Sequence, residues 1–268
     1  MIKVIFSDMD GTLLDDHNQL PEELPETIAM LKERGVLFGL ASGRQYYSLL
    51  DTFQGYENDF LFLAENGTLV KYRGQELFSD TMDTETAKAI LKAAEDVPHI
   101  FEVFCGKKDA YVRTEQHTPA FRAELGKYYS HSEPIADFHD VPDEAVKVSL
   151  WDETGHAEDT IYPLIREQFG DRMQVLLSSA WWVDVMNPGV GKGTAIHEIQ
   201  KRLGFTPDEC AAFGDYLNDE TMMQAVTYSF AMENAVPEIK KLARYETASN
   251  NDHGVIKGIQ RLVEMGLI

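Results

Sequence analysis

The chain has few cysteines and no long apolar segment. Only two of its 268 residues are cysteine, Cys105 and Cys210, and neither belongs to a CxxC pair. This argues against a zinc site or a disulfide framework and favours a reducing compartment. No apolar run reaches the length of a membrane span, and the first residues lack the basic and apolar regions of a signal peptide. We therefore expect a cytoplasmic protein.

Positive charge is also scarce. Lysine and arginine total 24 against 45 aspartates and glutamates, which gives a formal net charge of −21. Such an acidic chain disfavours nucleic acid and anionic membranes as partners. An anionic substrate would need a locally positive site, supplied by a metal ion, a lysine or the N-terminus of a helix. The sequence does not indicate an oligomeric state.

The first and last parts of the chain alternate apolar strands with amphipathic helices. Residues 4–6, 36–40, 60–64 and 210–213 are predicted strands, separated by helices with apolar residues three and four positions apart. Near-continuous apolar strands alternating with helices are typical of a parallel sheet that is covered on both faces. We predict an α/β, Rossmann-like core formed by residues 1–82 and 186–268.

The middle of the chain, residues 83–185, follows another pattern. Apolar and polar residues alternate in the segment Val146-Lys147-Val148-Ser149-Leu150. This alternation predicts an antiparallel sheet with one face in water. We predict that the block is an inserted α+β domain.

Polar clusters follow three of the predicted core strands. They are Asp8-Met9-Asp10-Gly11, Ser42-Gly43 and Gly214-Asp215. Ligands of open α/β sheets bind at the carboxyl ends of the strands, so we expect the clusters to form one site. Asp8 and Asp10 are two positions apart and point to the same side. Two carboxylates this close repel each other unless a cation or a proton shared between them neutralises the pair. We expect a hard divalent ion such as Mg²⁺, which prefers oxygen ligands.

Two further features support a phosphate or metal site, although each has a simpler interpretation. Asn218 and Asp219 follow Asp215 within one helical turn, which suits a Mg²⁺ shell but also an ordinary helix cap. Lys192 opens a predicted helix, where its charge opposes the helix dipole. This indicates a role other than helix stability, although a single lysine is more often a solvated surface charge.

The order of these motifs resembles the haloacid dehalogenase-like (HAD) phosphohydrolases. Within that superfamily the chain is similar to the Cof-type branch, which carries a type IIB (C2B) cap domain between its second and third motifs. The resemblance covers nearly the whole chain. It is carried by DMDGTLL at 8–14, Ser42-Gly43-Arg44, Lys192, GDYLND at 214–219 and NNDHGV at 250–255.

The resemblance implies a role for each matching residue. Asp8 would be the nucleophile that forms an aspartyl-phosphate, and Asp10 the general acid and then the general base. Mg²⁺ would be held by Asp8, the backbone carbonyl of Asp10 and Asp215, with Asp219 nearby. The phosphoryl group would be bound by Ser42, Gly43, Lys192 and Asn218.

These observations predict a Mg²⁺-dependent phosphatase of small phosphorylated metabolites, with sugar phosphates as the leading substrate class. A sugar phosphomutase of the same fold and a sensor of phosphorylated metabolites without catalytic activity are the alternatives. The segment Met232-Glu233-Asn234-Ala235 departs from the Met-Gly-Asn-Ala that is common in the family, and adds a negative charge near the expected site.

Overall fold

The computed structural model describes all 268 residues, which group into two compact units. The first unit contains Met1–Gly43, Phe53–Phe78 and Gly191–Ile268. The second unit contains Arg44–Thr52 and Ser79–Val190. The domain boundaries that we drew from the sequence, at 82/83 and 185/186, stay a prediction.

The first unit is built on an eight-stranded sheet. Six neighbouring strands are parallel, and the strand after the third one turns back antiparallel to it. The strand order is β14-β13-β12-β1-β2-β3-β4-β5, with bounds β1 Val4–Asp8, β2 Leu37–Ala41, β3 Phe60–Ala64, β4 Leu69–Tyr72, β5 Gln75–Ser79, β12 Cys210–Gly214, β13 Tyr228–Ala231 and β14 Tyr245–Glu246. The helices of this unit are α1 Leu24–Glu33, α6 Lys192–Leu203, α7 Glu220–Gln224, α8 Pro237–Leu242 and α9 Gly254–Glu264.

The central position of β1 explains its apolar sequence. All five of its residues are buried, and it pairs in parallel with β2 on one side and β12 on the other. A strand covered on both faces gains stability from apolar side chains at every position. The register sets Asp8 opposite Ala41 and Ser7 opposite Phe213, so the three polar clusters leave the sheet at the same edge.

The second unit contains a six-stranded sheet that is antiparallel except for one pair of strands. The strand order is β10-β11-β9-β6-β7-β8, with bounds β6 Ile100–Gly106, β7 Ala110–Arg113, β8 Ser132–Ile135, β9 Ala145–Asp152, β10 Gln174–Leu177 and β11 Trp182–Met186. Its helices are α2 Tyr46–Thr52, α3 Thr84–Ala94, α4 Pro119–Leu125 and α5 Ile161–Phe169. A parallel α/β sheet together with an α+β unit confirms the predicted fold class.

One expectation about the second unit is wrong. Strand β9 has no wet face, because all eight of its residues are buried. Phe121 of α4 and Trp151 belong to an apolar cluster that covers the face on which polar residues alternate. The polar groups of that face pair with one another instead of with water: Ser149 donates to the carboxylate of Asp184 at 2.5 Å, and the Lys147 ammonium lies 3.6 Å from it.

Two properties concern the surroundings in which the protein works. None of the helices combines the length and apolar character that crossing a membrane requires. Cys105 and Cys210 are both buried and unbridged. A cytoplasmic location remains a prediction from the cysteine content.

Candidate active site

Lys192 bridges two buried carboxylates at the end of β1. Its Nζ donates to Asp8 Oδ1 at 2.5 Å and to Asp219 Oδ1 at 2.6 Å. The lysine side chain is 0% exposed, and Asp8 is 6% exposed. Complete burial between two carboxylates rules out the interpretation of Lys192 as a solvated surface charge.

Close packing of helices α6 and α7 places this lysine. A Cβ at Gly193 would lie 2.3 Å from the carbonyl oxygen of Thr221, so only glycine allows the two backbones to approach. The Gly193 amide also donates to Thr221 Oγ1 at 3.1 Å. The glycine after Lys192 therefore fixes the first turn of α6 against α7 and directs the lysine towards β1.

The loop after β1 brings Asp215 to the same place. Thr12 Oγ1 donates to Asp215 Oδ1 at 2.7 Å, although the two residues are 203 positions apart. A Cβ at Gly11, whose φ is +76°, would stand 2.7 Å from Asp215 Oδ2. Glycine is required there for both reasons. Thr12 is a site residue that the sequence reasoning missed, although it lies inside the first motif.

Asp219 stabilises both the lysine and the loop that carries Asp215. While its Oδ1 accepts from Lys192, its Oδ2 accepts from the backbone amides of Asp215 at 2.9 Å and Tyr216 at 3.2 Å. Asp219 thus closes the turn before α7 and also faces the site. Its role as a metal ligand stays a prediction.

The charges at this site are out of balance. Carboxylate oxygens of Asp8, Asp215 and Asp219 lie within 4.8 Å of one another, with one ammonium between two of them. Burial, followed by the neighbouring charge of Asp219, raises the pKa of Asp8 well above its usual value. Burial also raises the pKa of Asp215 to about 6.

The site keeps the lysine in its charged form. Burial alone would lower the pKa of Lys192, but the carboxylates of Asp219 and Asp8 outweigh burial and raise it. Three carboxylates and one ammonium leave two negative charges, which a divalent cation would neutralise. The oxygen donors suit a hard ion such as Mg²⁺, so these residues fit the metal that is expected from the sequence.

A second group of predicted site residues follows β2. Ser42 is almost completely buried, and its backbone is held by hydrogen bonds from its amide to Leu63 O and from the Asn66 amide to Ser42 O, both 2.9 Å long. A Cβ at Gly43 would lie 3.2 Å from Asn66 Oδ1, so the Asn66 side chain rests against Gly43. Asn218 Nδ2 donates to the same oxygen at 3.4 Å. Ser42, Gly43 and Asn218 therefore meet around Asn66.

Two asparagines that received no role from the sequence hold the loop that contains Asp10. Asn234 Nδ2 donates to Gly11 O at 2.8 Å, and Asn234 Oδ1 accepts from the Asn250 amide at 3.0 Å. Asn250 Nδ2 in turn donates to Leu14 O at 3.1 Å. The loop is thus held at Gly11 and Leu14, directly after Asp10, while Asp10 itself is exposed. Both asparagines lie in segments that we had singled out only for their resemblance to family motifs.

Comparison with known proteins explains this arrangement. A family model for haloacid dehalogenase-like hydrolases matches residues 5–259. The chain belongs to this family. It is 30% identical over 268 residues to the 5-amino-6-(5-phospho-D-ribitylamino)uracil phosphatase YbjI of Escherichia coli, with coverage of 98% of this chain and 97% of that protein.

Two solved structures share the fold of this chain. A structure from Streptococcus mutans covers 98% of this chain and 100% of its own, with 28% identity and a TM-score of 0.86. A sugar phosphatase of HAD subclass IIB shares the fold at a TM-score of 0.80, with 20% identity and coverage of 99% of this chain and 100% of that one. The predicted membership of the HAD superfamily and its Cof-type branch is confirmed, and the chain is a HAD phosphatase. Its likeness to the subclass IIB enzyme is a likeness of fold.

We expect Mg²⁺ to stabilise this protein, and to do so more strongly as the pH rises from 5 to 7. At a hundredfold excess over its Kd, a ligand of the native state adds about 2.7 kcal/mol. The pKa of Asp215 lies near 6 in the folded, metal-free chain against 3.8 ordinarily. Between about pH 4 and 6 the Asp215 carboxyl therefore stays protonated in the folded state but is ionised in the unfolded chain. The metal-free protein loses stability as the pH rises through this range. A metal that requires the ionised carboxylate reverses this loss.

Thermal unfolding with and without MgCl₂ at several pH values measures this effect. Asp215→Asn should abolish most of the Mg²⁺-dependent shift in Tm, whereas Asp171→Asn, an exposed carboxylate of the second unit, should leave it unchanged. An equal shift in Asp215→Asn and the unaltered protein would contradict the proposed ligand set.

Proposed function

We propose that this protein is a Mg²⁺-dependent phosphatase that hydrolyses small phosphorylated metabolites through an aspartyl-phosphate formed on Asp8. The observation that carries the proposal is the buried Asp8 carboxylate, bound at 2.5 Å by Lys192 within a cluster of three carboxylates. An anionic nucleophile approaches an anionic phosphate only when cationic groups reduce the repulsion.

The metal ion, held by Asp8, the Asp10 carbonyl and Asp215, would supply positive charge beside the phosphoryl oxygens. Lys192 would contribute a second positive charge and hold Asp8 in one orientation. The Ser42 hydroxyl and the Gly43 amide would donate to phosphoryl oxygens. The Gly43 amide is part of the backbone, so it would need little rearrangement during the reaction.

The reaction would run in two steps that use the same two aspartates. An Asp8 carboxylate oxygen forms a bond to phosphorus as the phosphorus–oxygen bond to the leaving alcohol breaks, and Asp10 gives its proton to that alcohol. Asp10 then accepts a proton from water as the water oxygen attacks phosphorus. Inorganic phosphate leaves, and Asp8 regains its carboxylate.

The relatives support a substrate of small size that carries a phosphoryl group. YbjI, by its name, acts on a phosphorylated ribitylaminouracil, and it aligns with 98% of this chain. Sugar phosphates are the substrate class that we propose first. With a net charge of −21, the chain offers such an anion little long-range attraction, so binding depends on local donors.

A panel of phosphorylated metabolites incubated with the protein and Mg²⁺, with free phosphate as the readout, tests the proposal. We expect phosphate release from one or more sugar phosphates. Conversion of a hexose 1-phosphate to the 6-phosphate without free phosphate would select the mutase. Tight binding of a metabolite without any turnover would select the sensor.

A further inference from the structure

The turn after β3 has an unusual backbone. Glu65, Asn66 and Gly67 have successive φ values of +50°, +56° and +90°, all in the left-handed region. Six residues other than glycine have a positive φ, and only Glu65 and Asn66 among them are buried. Left-handed backbone at non-glycine residues is strained, and such strain concentrates at functional sites.

Asn66 lies among the residues predicted to bind phosphate. Its backbone amide donates to Ser42 O at 2.9 Å. Its side chain rests against Gly43, and the side-chain Oδ1 accepts from Asn218 at 3.4 Å. The next residue, Gly67, packs so closely that an added Cβ would lie 2.6 Å from Gly191 O. Gly191 directly precedes Lys192, so the turn contacts all three segments that carry predicted phosphate-binding residues.

The hydrogen bonds of the Asn66 side chain leave one group available. Its Oδ1 is taken by Asn218, whereas its Nδ2 donates to no protein atom. Asn66 is nevertheless only 7% exposed. An amide donor that is held in a largely buried position, among other phosphate donors, matches the acceptor oxygens of a phosphoryl group.

We propose that Asn66 binds a phosphoryl oxygen of the substrate through Nδ2, and that the strained turn holds the amide in place for this purpose. The inference rests on the proposed phosphatase function, since the phosphoryl group is its ligand. Asparagine suits the position because it tolerates the left-handed conformation better than other side chains.

Asn66→Gly separates binding from folding. Glycine adopts the positive φ without strain, so we expect an unfolding temperature equal to or above that of the unaltered protein. The kcat/KM for phosphomonoester hydrolysis should fall by about a hundredfold, as for loss of one preorganised donor. The Ki of inorganic phosphate as a competitive inhibitor should rise as well.

Asn18→Gly is the matched control. Asn18 is an exposed asparagine with a φ of +59°, in a turn where its amide donates to Asp15 O. The Asn18→Gly variant should show the same relief of backbone strain, and its phosphatase activity should be unchanged. Asn66→Asp keeps the acceptor for Asn218 but replaces the Nδ2 donor by a negative oxygen, so we expect a larger loss than in Asn66→Gly.

Full activity and an unchanged phosphate Ki in Asn66→Gly would overturn the inference. An equal loss of activity in Asn18→Gly would also overturn it. Such a loss would show that activity depends on the change in backbone strain, which both variants share, and not on the side-chain amide of Asn66. Calorimetric titration of inorganic phosphate distinguishes this inference from the function on which it rests. Phosphate binding that Asn66→Gly weakens would support the role of Asn66 even if no phosphomonoester were hydrolysed.

Discussion

The variant Asp8→Asn is expected to lose phosphatase activity by at least about 10⁴-fold, in line with the removal of other catalytic nucleophiles. An amide cannot form the bond to phosphorus that the carboxylate forms. In the unaltered protein Lys192 contacts the carboxylates of Asp8 and Asp219. In the variant, Asp219 would be its only ionic partner. The loss should appear in kcat at saturating substrate and Mg²⁺.

The fold should survive this change. Burial raises the pKa of Asp8, so a neutral side chain at this position costs the folded state less than a charge does. We therefore expect the metal-free variant to have a Tm equal to or above that of the unaltered protein. Asp171→Asn controls for a lost surface charge. Undiminished phosphate release by Asp8→Asn would rule out the aspartyl-phosphate mechanism.

Replacing Lys192 by methionine should affect stability and activity together. The ammonium is the cation that contacts two buried carboxylates at 2.5 and 2.6 Å. Removing one partner of a buried ionic cluster costs about 3–5 kcal/mol, because the remaining charges stay buried without compensation. Urea unfolding of the metal-free protein should show this loss, and phosphate release should fall by about 10³-fold.

A double variant separates these two effects. Lys192→Met combined with Asp219→Asn removes one positive and one negative charge, so it should recover part of the lost stability. Activity should not return, because the positive charge beside Asp8 is still missing. A single Lys192→Met variant with unaltered stability would show that the buried ion pairs contribute nothing to folding. Recovery of activity in the double variant would remove Lys192 from the proposed mechanism.

The sequence predicted the sheet of the first unit because its strands are buried on both faces. Val4 to Phe6 form an apolar run that only a covered strand accommodates, and polar residues follow directly where that strand ends. Parallel strands end at one edge of a sheet, so the sequence predicts Asp8, Ser42 and Asp215 at a common site. The register of β1 with its neighbours explains why this reasoning succeeds.

Other features could not be predicted, for two physical reasons. The hydrogen bond from Thr12 to Asp215 joins residues 203 positions apart, and nothing in the local pattern near either residue indicates it. The alternation in β9 shows which side chains are polar, but it does not show whether they face water or other polar side chains. Asp184 and the apolar cover that includes Phe121 keep water from Ser149, so the alternating pattern led to the wrong conclusion.

The position of β1 between β2 and β12 bears on how the protein is made. Its two neighbours come from opposite parts of the chain, with Cys210 beside Val4 on one flank and Leu37 on the other. During synthesis, β1 must wait for about 200 further residues before its second edge is covered, which leaves an apolar strand open to misassociation. Asp8 and Lys192 are 184 positions apart, so the ion pair at the candidate active site cannot form until most of the chain has been synthesised.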